Sequence, residues 1–89
     1  MRVTDREVVV KDLTQYIQEH MLNDESVELT AETPLLEWGI LNSVGTARLV
    51  GYIRNQFDIR VPPGQMIRQN FQDINRIADL VGSLGETKA

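Results

Sequence analysis

From Asp5 onward the apolar residues Val9, Leu13, Tyr16 and Ile17 return every three or four positions, and His20 and Met21 prolong the stripe. That interval is the signature of an amphipathic helix, here running from about Asp5 to Leu22. Thr4 and Glu7 have the spacing of a capping box at its start. Val8 and Val10 widen the stripe, and His20 near the end suits the negative pole of the helix dipole. Periodicity then lapses from 23 to 42 and resumes in a second helix from Ser43 to Phe57, with Leu49, Val50, Ile53 and Phe57 at core spacing. Asp58-Ile59-Arg60-Val61-Pro62-Pro63-Gly64 forbids helix and reads as an extended segment whose Ile59 and Val61 alternate inward. A short helix is expected near Gln65 to Arg68. Asp73 caps a last helix carrying Ile74, Ile77, Ala78 and Val81 in the i, i+3, i+4, i+7 pattern. Gly82 to Ala89 reads as a frayed tail. The expected fold is all-α: a small four-helix bundle of three main helices and one short one, with a long first loop, in a single domain spanning 1–89.

A connection as long as 23–42 is unusual in a compact domain and tends to be functional. It holds Asp24, Glu25, Glu28, Glu32 and Glu37, yet lacks the alternating oxygen ligands and central glycine of a calcium loop. Thr33-Pro34 has the form of an N-cap followed by proline at the first helical position, and Gly39 that of a left-handed residue closing a short turn. Leu35, Leu36 and Trp38 are expected to pin the loop to the core, with the indole as an anchor. In the second helix, Gly45 and Gly51 each cost roughly 1 kcal/mol relative to alanine. Close approach of a partner is the reason favoured at Gly45, and packing at Gly51.

The chain has 89 residues, 42% apolar and 25% charged, with no cysteine. A globular domain of that size buries roughly 60–70% of its unfolded surface. Absence of cysteine removes disulfides and thiolate chemistry, and no cluster of carboxylates and histidines has metal-ligand spacing. The charged N-terminus and the lack of any long apolar run point to a cytoplasmic protein with no membrane partner. A net charge of −4 argues against nucleic acid. The charge is also uneven: residues 1–47 hold nine acids and three bases, residues 48–89 four acids and six bases. The second helix carries Arg48 and Arg54 and no acid, which suggests two differently charged faces.

The remaining candidate for chemistry is Ser43, at a loop-to-helix junction behind Gly39-Ile40-Leu41-Asn42. Its simplest reading is the N-cap of the second helix. A hydrolytic nucleophile would need a base and an oxyanion hole, but Leu41-Asn42-Ser43-Val44-Gly45 lacks the first glycine of a nucleophile elbow and His20 is the only histidine. The third reading is covalent modification by an anionic group, which a helix N-terminus favours electrostatically.

The run Gly39-Ile40-Leu41-Asn42-Ser43-Val44, the spaced Leu49, Ile53 and Phe57, then Phe57-Asp58-Ile59-Arg60-Val61-Pro62 and Asn70-Phe71-Gln72-Asp73-Ile74 resemble acyl and peptidyl carrier proteins over nearly the whole chain. The resemblance implies a carrier without catalytic residues of its own. It further implies that Ser43 receives 4′-phosphopantetheine from coenzyme A through a phosphopantetheinyl transferase, and that the arm holds an acyl or aminoacyl group as a thioester for partner enzymes. Asn42 stands where the family usually has aspartate, and Val44 where it usually has leucine. The acid-free second helix differs from fatty-acid-type carriers, which favours an amino-acid cargo. Glu32-Thr33-Pro34-Leu35-Leu36-Glu37-Trp38-Gly39-Ile40-Leu41-Asn42-Ser43 is similar to stand-alone carriers of secondary metabolism that hold L-proline during its oxidation to a pyrrole-2-carboxyl group. Partners then implied are an amino-acid adenylating enzyme, a flavin-dependent acyl dehydrogenase and a downstream acyl-transferring enzyme. Asn42, Val44, Thr46, Ala47 and Arg48 form the expected docking edge. An acyl carrier with other cargo, or an unmodified helical interaction module whose serine only caps, are the alternatives.

Overall fold

The computed structural model describes residues 5–22 and 28–87, without the side chains of Glu86 and Thr87. The expectations on Thr4, Asp24 and Glu25 lie outside the described residues. Three α-helices carry the fold: α1 Arg6–His20, α2 Ser43–Phe57 and α3 Ile74–Thr87. No strand occurs among the described residues, as the helical periodicities require.

α1 is capped by Asp5, whose carboxylate accepts from the Glu7 N–H at 3.0 Å, and it ends at His20 with Met21 as its C-cap. Its stripe Val9, Leu13 and Ile17 is fully buried, while Val8 and Val10 are half-buried at the margin. α1 packs along α3, where Arg6 reaches Asp79 and the Asn75 carbonyl. It meets α2 through stacked rings of Tyr16 and Tyr52, 4.1 Å between centroids. The Tyr52 hydroxyl donates to the Asp12 carbonyl at 3.3 Å.

α2 begins and ends where its sequence pattern does, with Leu49, Ile53 and Phe57 inward. Asp58 then adopts φ 54, a left-handed conformation that Asp tolerates better than most residues. It turns the chain so that Ile59 and Val61 enter the core while Arg60 stays outside. Gly51 is exposed, with nothing within 4 Å of an added Cβ, so packing does not require a glycine there.

The short helix expected at Gln65–Arg68 takes a different form. Two 3-10 turns, Pro63–Gln65 and Arg68–Phe71, flank an extended Met66-Ile67. Pro62-Pro63-Gly64 allows one tight turn but not a continuing helix. Phe71 drops into the core from the second turn. Asp73 caps α3 by accepting from the Arg76 N–H at 2.8 Å, and Ile74, Ile77, Ala78 and Val81 are buried as their spacing requires. α3 continues past Gly82 to Thr87, so the segment read as a frayed tail from Gly82 is helical that far. Leu84 still packs on the core there, offsetting the glycine penalty.

The first loop is tied down by backbone bonds to the α3 end of the molecule. The Leu35 N–H donates to the Gln72 carbonyl at 2.8 Å, and the Asn75 N–H to the Ala31 carbonyl at 3.1 Å. Thr33, buried, accepts from the Thr30 N–H at 2.9 Å and steadies a turn rather than capping a helix. Leu35 and Leu41 fill the core beneath, and the Leu41 N–H closes the loop on the Leu35 carbonyl at 3.1 Å. This arrangement fixes the entry into α2.

Candidate functional site

The loop delivers Asn42 and Ser43 to the start of α2. Asn42, and not Ser43, is the N-cap: its backbone is extended and its Oδ1 accepts from the Gly45 N–H at 2.8 Å. The Thr46 N–H donates to the Asn42 carbonyl at 2.7 Å and begins the helical ladder. Two adjacent cap-competent residues compete, and the one whose extended backbone precedes the first ladder bond wins. Ser43 is therefore the first helical residue, exposed, and its hydroxyl makes no hydrogen bond within the described residues. It stands at the positive pole of α2, where the Ser43 and Val44 amides precede the first ladder bond.

Ser43 opens onto a groove of about 510 Å³. Leu36, Leu41, Met66, Ile67 and Phe71 supply its apolar lining; Asn42, Thr46 and Arg68 supply polarity. Among the described residues, no carboxylate and no imidazole lines it. The hydroxyl thus has room and a favourable field for an anionic substituent, but no general base beside it. A hydrolytic triad has no support here.

On the opposite side of the α2 start lies a smaller cleft of about 300 Å³, with Tyr16, His20, Met21, Ile40, Asn42, Val44, Gly45 and Arg48 around it. The expected docking residues divide between the two sides. Val44 and Arg48 border the cleft, Thr46 borders the Ser43 groove, Asn42 touches both, and Ala47 is exposed but lines neither. A Cβ added at Gly45 would make ordinary van der Waals contact with Asn42 Oδ1 at 3.4 Å and Leu41 Cδ1 at 3.5 Å, so local packing does not require a glycine there.

Trp38 differs from expectation. It is 60% exposed, because the turn that starts at Pro34 closes on Gly39 at φ 73, and Leu35 and Leu41 occupy the core positions beneath the loop. Met66, Ile67, Arg68 and Phe71 were not apparent as site residues. They come from a segment without periodicity, and only the fold brings them beside Ser43. Burial raises the pKa of Tyr52, helped by the negative charge of Asp12.

Comparison with known proteins places this geometry. The family model described as "Phosphopantetheine attachment site" matches residues 11–81. The chain is 32% identical over 73 residues to the D-alanyl carrier protein of Streptococcus sanguinis (strain SK36), covering 82% of this chain and 90% of that one. It is 32% identical over 76 residues to the D-alanyl carrier protein of Streptococcus gordonii, covering 85% and 94%. A solved structure described as "Crystal structure of FAD-dependent dehydrogenase" contains a chain that superposes with a TM-score of 0.73 at 28% identity, over 79% of this chain and 99% of that one. No helix among the described residues is long and apolar enough to cross a membrane. The chain belongs to the phosphopantetheine-attachment family of carrier proteins, which are not catalysts themselves and whose prosthetic group is a covalently bound 4′-phosphopantetheine.

Proposed function

We propose that residues 1–89 act as a single carrier domain in which Ser43 bears the 4′-phosphopantetheine. The observation that carries the reading is the division of labour at the start of α2: Asn42 performs the capping, which leaves the Ser43 hydroxyl exposed, without a hydrogen bond among the described residues, and next to an open groove. The surroundings fit an attached phosphodiester. The helix dipole favours its charge, the neighbouring Asn42 adds no opposing carboxylate, and the groove lining is free of acids.

What this chain contributes to its own modification is an oxygen nucleophile. The Ser43 oxygen bonds to the pantetheine-side phosphorus of coenzyme A as the bond to the second phosphate breaks and adenosine 3′,5′-bisphosphate leaves. None of the described residues lining the groove is a base that could take the serine proton, and in this reading the transferase supplies it. When bound, the arm supplies a thiol that holds acyl groups as thioesters.

The favoured cargo is L-prolyl, loaded by an amino-acid adenylating enzyme and oxidised to pyrrole-2-carboxyl by a flavin-dependent acyl dehydrogenase before passing to an acyl-transferring enzyme of secondary metabolism. The likeness of segment 32–43 to stand-alone prolyl carriers supports this. So does the structural neighbour: the chain matched in the FAD-dependent dehydrogenase structure is almost wholly accounted for by a domain smaller than this protein, the dimensions of a carrier. D-Alanyl cargo is the second reading, favoured by the 32% identity to D-alanyl carrier proteins. Loading the phosphopantetheinylated chain with a prolyl-adenylating and, in parallel, a D-alanyl-adenylating enzyme separates them by intact mass. The favoured reading expects the prolyl adduct, followed by a loss of about 4 Da with the dehydrogenase and dioxygen, as the ring gives up four hydrogen atoms in two two-electron oxidations with dioxygen reoxidising the flavin. A D-alanyl adduct without a prolyl one would transfer the conclusion to the second reading.

A further inference from the structure

Of the described residues that line the Ser43 groove, Arg68 alone is charged. It opens the second 3-10 turn, Arg68–Phe71, whose backbone is well tied down. The Asn70 N–H donates to the Ile67 carbonyl at 3.0 Å, Phe71 is buried in the core, and the Gln72 carbonyl accepts from the Leu35 N–H at 2.8 Å. The root of the Arg68 side chain is thereby fixed, while the side chain itself is exposed. Among the described residues its guanidinium has neither an ion pair nor a hydrogen bond.

The same side chain borders a second cavity, of about 300 Å³, which shares only Leu36 and Arg68 with the groove. Three carboxylates line this neighbour: Glu32, Glu37 and Asp73. Asp73 is engaged in capping α3, where its Oδ1 accepts from the Arg76 N–H at 2.8 Å. Glu32 and Glu37 are exposed and remain as the partners that can approach the guanidinium. Before modification, the negative charge around Arg68 therefore lies wholly on the acid side. A phosphodiester on Ser43 puts a full negative charge, with two unesterified oxygens, into the groove. A guanidinium matches such a pair of oxygens with two parallel N–H donors. Exposed carboxylates on flexible side chains hold an arginine weakly, because water screens the pair and ordering both chains costs entropy. The groove has Leu36, Leu41 and Phe71 along its wall, which keep water from one side and strengthen a charge pair formed there.

We propose that Arg68 holds the phosphodiester of the arm on Ser43, turning from Glu32 and Glu37 to the groove when the serine is modified. Arg68 is then a positioning residue: it fixes the first link of the arm on the 3-10 side of the groove and so sets the direction in which the arm leaves. The proposal rests on the carrier reading above and adds the residue that receives the charge which modification introduces.

The test compares unmodified and fully modified protein in wild type, Arg68→Gln and Arg68→Lys, with the group located on Ser43 by fragment mass. Proton–nitrogen NMR reads the Arg68 Nε–H, identified by its absence from Arg68→Gln, and phosphorus NMR reads the phosphodiester. In wild type the Nε–H signal should move downfield on modification, and the phosphorus signal should differ from that of Arg68→Gln. Modification should raise the thermal midpoint by about 1–4 °C more in wild type than in Arg68→Gln, a difference that shrinks toward about 0.5 M salt. Arg68→Lys, which keeps the charge without the fork, should recover part of that difference. The unmodified Arg68→Gln protein should melt within about 2 °C of wild type, which separates this role from a structural one. Removing the competing carboxylates together, Glu32→Gln with Glu37→Gln, should widen the midpoint gain. An unmoved Nε–H signal, with the same phosphorus signal and midpoint gain in wild type and Arg68→Gln, would overturn the proposal. A midpoint gain unchanged or reduced in the double glutamine variant would overturn the exchange with the acid side. A wild-type chain that gains no mass from a transferase active on another carrier, or gains it away from Ser43, would remove the carrier reading instead, so the two failures are distinct.

Discussion

Exchanging alanine into positions 42 and 43 one at a time separates structure from chemistry at the start of α2. In Asn42→Ala the Gly45 N–H loses its acceptor at 2.8 Å, and no neighbouring hydroxyl replaces it. Loss of an N-cap costs about 1 kcal/mol, within a span of about 0.5–2. For a domain of this size that lowers the thermal midpoint by roughly 4–8 °C per kcal/mol. Ser43→Ala removes an exposed hydroxyl that bonds to nothing in the described residues, so it should stay within about 0.5 kcal/mol of wild type. Phosphopantetheinylation should run in the opposite order, kept in Asn42→Ala at temperatures where it is folded and abolished in Ser43→Ala. Calorimetry on the unmodified proteins and intact mass after transferase treatment read the two axes. A larger stability loss in Ser43→Ala than in Asn42→Ala would refute the reasoning, because it would make the serine the cap. Asn42→Asp sharpens the point: a carboxylate here keeps the cap and gains about 0.3–1 kcal/mol from the helix dipole. That gain should shrink once an anionic phosphodiester sits on the next residue.

Three further outcomes follow from the packing. Gly51→Ala should stabilise by about 0.5–1 kcal/mol, since the position is exposed, helical and empty around an added Cβ; denaturant titration reads this as a higher midpoint at unchanged slope. Phe71→Ala should cost about 3–5 kcal/mol and loosen the floor of the Ser43 groove, seen by the same titration. Because the Tyr52 pKa is raised in the folded protein, the unfolded chain ionises first above about pH 10. The contribution of the protonated hydroxyl is thus complete below that pH and lost as pH climbs through the folded value. Urea midpoints should decline more shallowly across about pH 9–11 in Tyr52→Phe than in wild type.

The helices were legible because each carries one buried stripe of unambiguous period. Leu49, Ile53 and Phe57 placed α2 at its observed bounds, and Ile74, Ile77, Ala78 and Val81 placed the core face of α3. Ile59 and Val61 were legible from alternation alone. The sequence could not say which of Asn42 and Ser43 caps, since both residue types do so and backbone geometry decides. Trp38 misled because hydrophobicity predicts burial on average, while the small core was already filled by Leu35 and Leu41. Met66 and Ile67 were silent because an apolar pair between turn residues has no period to read. Gly82 marked a helix end by propensity, and packing of Leu84 overrode it. Cargo leaves no trace in core spacing. It belongs to the thiol and to the enzymes that meet it, which is why the likenesses to prolyl and D-alanyl carriers lead to an assay rather than to a structural assignment.

The most direct test of the central claim is intact and fragment mass of the purified protein after incubation with coenzyme A and a phosphopantetheinyl transferase, with Ser43→Ala alongside. The account predicts the gain of one phosphopantetheinyl group, located by fragmentation on Ser43 and absent from the alanine variant. A gain that persists in Ser43→Ala, or fragments that put the group on Thr46 or another hydroxyl, would contradict it.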